Sequence, residues 1–122
     1  MKFKDLMNQT FSRVVQHDEG IIFQKANGKG YYLYHRQDCC ESVYIESIVG
    51  DLSDLENAPI LLAEESESDM PNASESGTWT FYKLATIKGY VDIRFNGQSN
   101  GYYSESVNIY KCRFNKGIPV FD

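Results

Sequence analysis

The sequence lacks any apolar run long enough to cross a bilayer as a helix. It also lacks a signal-peptide pattern: Met1 to Met7 has no apolar run, with Lys2, Lys4 and Asp5 interspersed. Both absences point to a soluble protein that stays in a cytoplasm. There are three cysteines, Cys39, Cys40 and Cys112, and an odd number with an adjacent pair is a poor disulfide framework. The expectation is three free thiols in a reducing compartment. Basic charge is also short. Twelve Lys and Arg face 17 Asp and Glu, for a formal net charge of −5. Five of the acids are Glu64, Glu65, Glu67, Asp69 and Glu75, in a stretch without Lys or Arg. Elsewhere 12 acids balance 12 bases, so the body is near neutral. That excludes bulk electrostatic binding of duplex DNA, which needs a basic face.

No nucleophile elbow, P-loop, HExxH or dinucleotide glycine pattern is present. Metal ligation has weak support. Adjacent cysteines on a strand point to opposite faces, and structural zinc wants spaced pairs. Neither a metal nor a cofactor is expected. The thiols near His35 and Asp38 could form a catalytic pair only with a geometry that the sequence does not fix. Lone carboxylates such as Glu41, Glu46 and Glu105 are usually solvated, so acid–base hydrolysis is a minor alternative.

What the chain has in quantity is tyrosine, nine residues, with seven phenylalanines and one tryptophan. These residues favour strands and binding surfaces. Read by period two, 122 residues give one domain of about eight strands. Thr10–His17, Ile21–Ala26 and Tyr31–His35 form a meander, with Asn27-Gly28 as the second turn. Val43–Val49 is a strand, Asp51–Asn57 a short helix, and Ile60–Glu64 a buried strand. Residues 65–76 read as a mobile acidic loop, too polar to order itself, with a lid or cation site as the alternative. Thr78–Thr86 and Tyr90–Phe95 form a hairpin with Trp79 and Phe81 on one face and Thr80, Tyr82 and Leu84 on the other. Residues 96–101 read as a turn, Tyr102–Tyr110 as the last strand and 113–122 as a tail. The fold class is mainly β: a strongly bent antiparallel sheet or small open barrel with one short helix.

The densest run of reactive groups is Arg36 to Glu46. With the turn after Phe95 it defines a candidate ligand site. His35, Arg36, Asp38, Glu41 and Tyr44 come from the first stretch. Asn100, Tyr102, Tyr103, Ser104 and Glu105 come from the second, and Lys83 and Arg94 supply charge from flanking strands. Tyrosine offers a rigid stacking face at little entropy cost, and cations grip phosphates. The alternative is that both loops are structural, with Asp38 and Glu105 capping backbone amides.

Asp38–Glu46, Gly50–Leu55, Pro59–Leu61, Glu75–Lys83, Ala85–Val91, Ile93–Phe95 and Ser99–Val107 together resemble a small uncharacterised domain found in bacteriophage genomes. The resemblance covers about Gly20 to Tyr110 and transfers no catalytic residue. It implies a phage protein acting in the cytoplasm of the infected bacterial host. By analogy of setting, a small acidic phage protein is expected to counter host defence without catalysis, by sequestering a nucleotide-type immune signal. The near-neutral body also permits a homo-oligomer. The alternatives are an inhibitor that binds a host defence protein through the acidic loop, and a nucleotide-cleaving hydrolase.

Overall fold

The computed structural model describes all residues, Met1–Asp122. It contains nine strands and two 310 turns, with 57% of residues in strands or isolated β-bridges and 7% in helical turns. The expected mainly β fold is what forms, including a strongly curled, half-barrel sheet. The strands are β1 (Arg13–His17), β2 (Gly20–Gln24), β3 (Lys29–Tyr34), β4 (Ser42–Val49), β5 (Leu62–Asp69), β6 (Ser76–Thr86), β7 (Gly89–Ser99), β8 (Asn108–Asn115) and β9 (Ile118–Val120).

They form two antiparallel sheets. One has the order β1-β2-β3-β8-β9 and the other β4-β7-β6-β5. The chain changes sheet twice, through residues 35–41 after β3 and residues 100–107 after β7. β3 pairs with β8 and β4 pairs with β7. The two crossovers therefore interrupt one two-stranded ribbon that passes from sheet to sheet. Both halves of the candidate site lie on these crossovers.

One core fills the space between the sheets. Phe11, Ile21, Phe23 and Leu33 come from the first sheet and its lead-in, and Tyr82, Leu84, Val91, Ile93 and Phe95 from the second. Phe3 and Leu6, in the 310 turn Phe3–Leu6, plug one end, with Phe3 packed on Tyr82 at 4.5 Å between ring centroids. The alternation expected of β6 and β7 holds: Thr80, Tyr82 and Leu84 are buried with Val91, Ile93 and Phe95, while Lys83, Asp92 and Arg94 are exposed.

Four local expectations are corrected. The short helix is a 310 turn, Leu52–Leu55, because Asn57 and Pro59 leave no room for a second turn. Asp51 does cap it, accepting from the Ser53 amide at 2.9 Å. The acidic stretch is a strand rather than a loop through Asp69, in register with β6 from Leu62↔Ala85 to Asp69↔Thr78. Its side chains bury little, but β6 supplies a ladder of aromatic and β-branched residues to pair against, and Glu64 faces Lys83. The true turn is 70–75. β7 runs through Asn96 to Ser99, and the last strand begins at Asn108 rather than Tyr102. Serine and glutamate side chains in 99–106 bond locally, which competes with a ladder. Finally, the tail is a hairpin. Lys116 and Gly117 have φ of 53° and 79°, the conformation of a two-residue primed turn, and β9 pairs back on β8.

Replacing residues 65–76 by a short Gly-Ser link removes much of the β5–β6 ladder. The melting temperature is expected to fall by at least about 5 °C. An unchanged value would restore the mobile-loop reading.

Candidate functional site

The first crossover is built around Glu41, whose side chain is fully buried. Its Oε1 accepts from the Cys39 amide at 2.9 Å, and its Oε2 from the Asp38 amide at 2.8 Å. The Gln37 side chain donates to the Cys39 and Glu41 carbonyl oxygens, which closes the turn. His35 completes the arrangement. Its Nε2 lies 2.7 Å from Glu41 Oε2, and its Nδ1 lies 2.6 Å from the Ser106 carbonyl oxygen. A carbonyl can only accept, so Nδ1 carries a proton. The Nε2 contact ties the same ring to the Glu41 carboxylate. Burial alone would raise the Glu41 pKa. The Asp38 and Cys39 amides and His35 outweigh it and hold the carboxyl at about 2.

Within this turn Cys39 and Cys40 are disulfide-bonded, which corrects the expectation of three free thiols. Cys112 alone is free, and burial pushes its thiol up to about 11, so it is not a poised nucleophile.

The second crossover is organised by Glu105. It accepts from Thr78 Oγ1 at 2.7 Å and Ser99 Oγ at 2.6 Å. Burial would raise its pKa, but these hydroxyls and Ser76 lower it. Gly97 makes room for this contact, since a Cβ there would sit 3.0 Å from Glu105 Cβ. Asn100 caps the Tyr102 amide, and Ser104 bonds to the Ser106 amide and hydroxyl. Tyr103, Ser104 and Glu105 line a cavity of about 270 Å³ with Glu67, Ser76, Thr78 and Ser106.

His35 therefore joins the two crossovers, as the sequence placed them, but through buried groups. The other candidate residues go elsewhere. Asp38 and Asn100 are exposed, Tyr44 is 37% exposed and Tyr102 is 89% exposed. Arg36 stacks on Tyr110 at 3.9 Å from the ring centroid, near Phe121, and its Nε donates to Tyr34 Oη. Lys83 and Arg94 lie on the outer face of the four-stranded sheet, opposite the face that Glu105 touches. There Arg94 sits 5.1 Å from the Trp79 ring centroid and pairs through Nε with Glu46 Oε2 at 2.8 Å. Lys83 makes no ion pair.

That outer face holds residues the sequence reading left out of the site. Phe81, Ser47 and Ser66 join Lys83, Asp92 and Arg94 around a cavity of about 290 Å³. The signal was available: the alternation that buries Tyr82 and Leu84 sends Trp79 and Phe81 outward beside Lys83. No group of three or more His, Cys, Asp and Glu side chains is gathered as for a metal ion.

A family model described as a domain of unknown function, DUF7448, matches residues 4–109. The chain belongs to this family. The DUF7448 match takes in both crossovers and every candidate site residue, and ends inside β8, before Tyr110. No curated protein and no solved structure matches the chain.

Because the Glu41 pKa is held at about 2 against an ordinary value near 4.5, its contribution to stability is fully present above pH 4.5. It is lost as pH falls towards 2. The urea midpoint of the natural chain should decline across that window, and Glu41→Gln should flatten the decline while lowering the midpoint at neutral pH. An unchanged pH profile in the variant would contradict the assignment.

Proposed function

We propose that this chain is a non-enzymatic binding protein for a nucleotide-type ligand, held on the outer face of the four-stranded sheet. The observation that carries this reading is one outer face on which Phe81, Lys83 and Arg94 line a cavity of about 290 Å³, with the Trp79 ring 5.1 Å from the Arg94 guanidinium. Rings on a sheet face stack bases, and neighbouring cations hold phosphates; Trp79 and Phe81 are half-buried there. The cavity is near the lower size of small-ligand sites. Ser47 and Ser66 add hydroxyls that suit a ribose or a phosphate oxygen. The reading is non-enzymatic because His35 and Glu41 are consumed in a structural clip and the free thiol is not ionised.

In the phage setting that the sequence resemblance implies, the biological role is counter-defence. The protein would sequester a nucleotide immune signal in the cytoplasm of the infected host. A second reading has its own support. β5 is an edge strand with Glu64, Glu65, Glu67 and Asp69 exposed, which suits direct contact with a host protein.

Trp79 is the single tryptophan, so its fluorescence reports the face directly. Titration with a panel of linear and cyclic nucleotides should quench it for at least one member, with the ligand recovered intact by mass spectrometry. Phe81→Ala should cost about 1–3 kcal/mol of stacking, and Lys83→Ala should weaken phosphate-bearing ligands most. Chemically altered ligand would replace this reading with hydrolysis. Binding of no nucleotide would favour the protein-contact reading.

A further inference from the structure

Cys39 and Cys40 are both exposed, bonded to each other, and placed in the first crossover. Their surroundings are tied down. The Cys39 amide and the neighbouring Asp38 amide donate to buried Glu41, and Glu41 bonds His35, which reaches the Ser106 carbonyl of the second crossover. The sulfur pair is thus the accessible end of a chain of contacts that links both sheet changes. Neither the packing of the core nor the outer-face cavity uses these sulfurs.

We propose that Cys39–Cys40 is a reversible thiol–disulfide site, reduced by low-molecular-weight thiols, whose state sets how firmly Glu41 holds the first crossover. A thiolate of the reductant attacks one sulfur and forms a mixed disulfide, releasing the other cysteine as a thiolate. A second reductant thiolate attacks the external sulfur of the mixed disulfide and releases the first cysteine. The reductant leaves as its own disulfide, and both cysteine thiolates take up the two protons that its thiols gave up. Two electrons pass to the pair, and the reverse exchange with a small disulfide closes it again. Exposure of both cysteines provides the access that such exchange requires. Closed, the eight-membered ring restrains the 39–40 peptide beside the amides that Glu41 receives. Open, that restraint is gone and the turn depends on Glu41 alone. Cys112 does not take part: it is half-buried on β8 and its thiol is pushed up to about 11. The proposal does not depend on the nucleotide reading.

The experiment uses the full chain oxidised with a small disulfide or reduced with dithiothreitol. Thiol titration after denaturation should find one group in the oxidised form and three in the reduced form, with the oxidised chain monomeric by non-reducing intact mass. Amide hydrogen exchange at Asp38 and Cys39 should be at least about tenfold faster in the reduced form. The Cys39→Ser/Cys40→Ser double variant should exchange fast under both conditions, while Cys112→Ser should respond like the natural chain. Phenylarsine oxide, a probe for paired thiols, should bind the reduced chain alone, forming two As–S bonds with loss of water. Three thiols after oxidation, disulfides formed only between chains, or equal exchange at Asp38 and Cys39 in both forms would each overturn the proposal.

Discussion

The hydrogen-bonded pair of His35 and Glu41 is the contact on which the arrangement of the two sheets depends. The β3–β8 ribbon and the β4–β7 ribbon are continuous in path but belong to different sheets. At the corner between them the ladder stops, and backbone groups need other partners. Glu41 takes two amides of one crossover, and His35 takes a carbonyl of the other. A carboxylate at this depth is tolerable only because it has donors on both oxygens, and no buried side-chain polar atom lacks a partner. Glu105 does the corresponding work at the second crossover with the hydroxyls of Thr78 and Ser99.

This division of labour separates structure from binding. The inner faces of both sheets are committed to one core closed by Phe3 and Leu6. The crossovers hold the corner. The outer face of the four-stranded sheet is left with rings and cations that neither the core nor the corner requires, and the binding proposal rests there. Its two cations differ. Arg94 is partly neutralised by Glu46, whereas Lys83 has no ion-pair partner, so Lys83 is the freer phosphate donor.

Much of this was legible in the sequence, for physical reasons that can be named. Period two put Tyr82 and Leu84 on one face of β6, opposite Trp79 and Phe81, and Ile93 and Phe95 on the core face of β7, and Asn27-Gly28 placed the β2–β3 turn. The first crossover was legible as a loop because Arg36 to Glu41 lacks a strand pattern. What failed were cases where partners outweigh local composition. Glu64 to Asp69 is polar enough to read as a loop, yet it becomes a strand because β6 offers a ladder. Tyr102 to Ser106 has strand-like tyrosines, yet its serines and Glu105 satisfy the backbone and each other. His35 and Glu41 were each legible as a candidate site residue. Their burial was not, because it depends on Ser106, 71 residues away in the chain.

A double-mutant cycle on His35→Gln and Glu41→Gln, read by urea unfolding at neutral pH, addresses the clip most directly. If the two side chains act as one unit joining the crossovers, each single variant is destabilised and the double variant is little worse than the weaker single. Two losses that simply add would show that His35 and Glu41 contribute independently and would contradict the account.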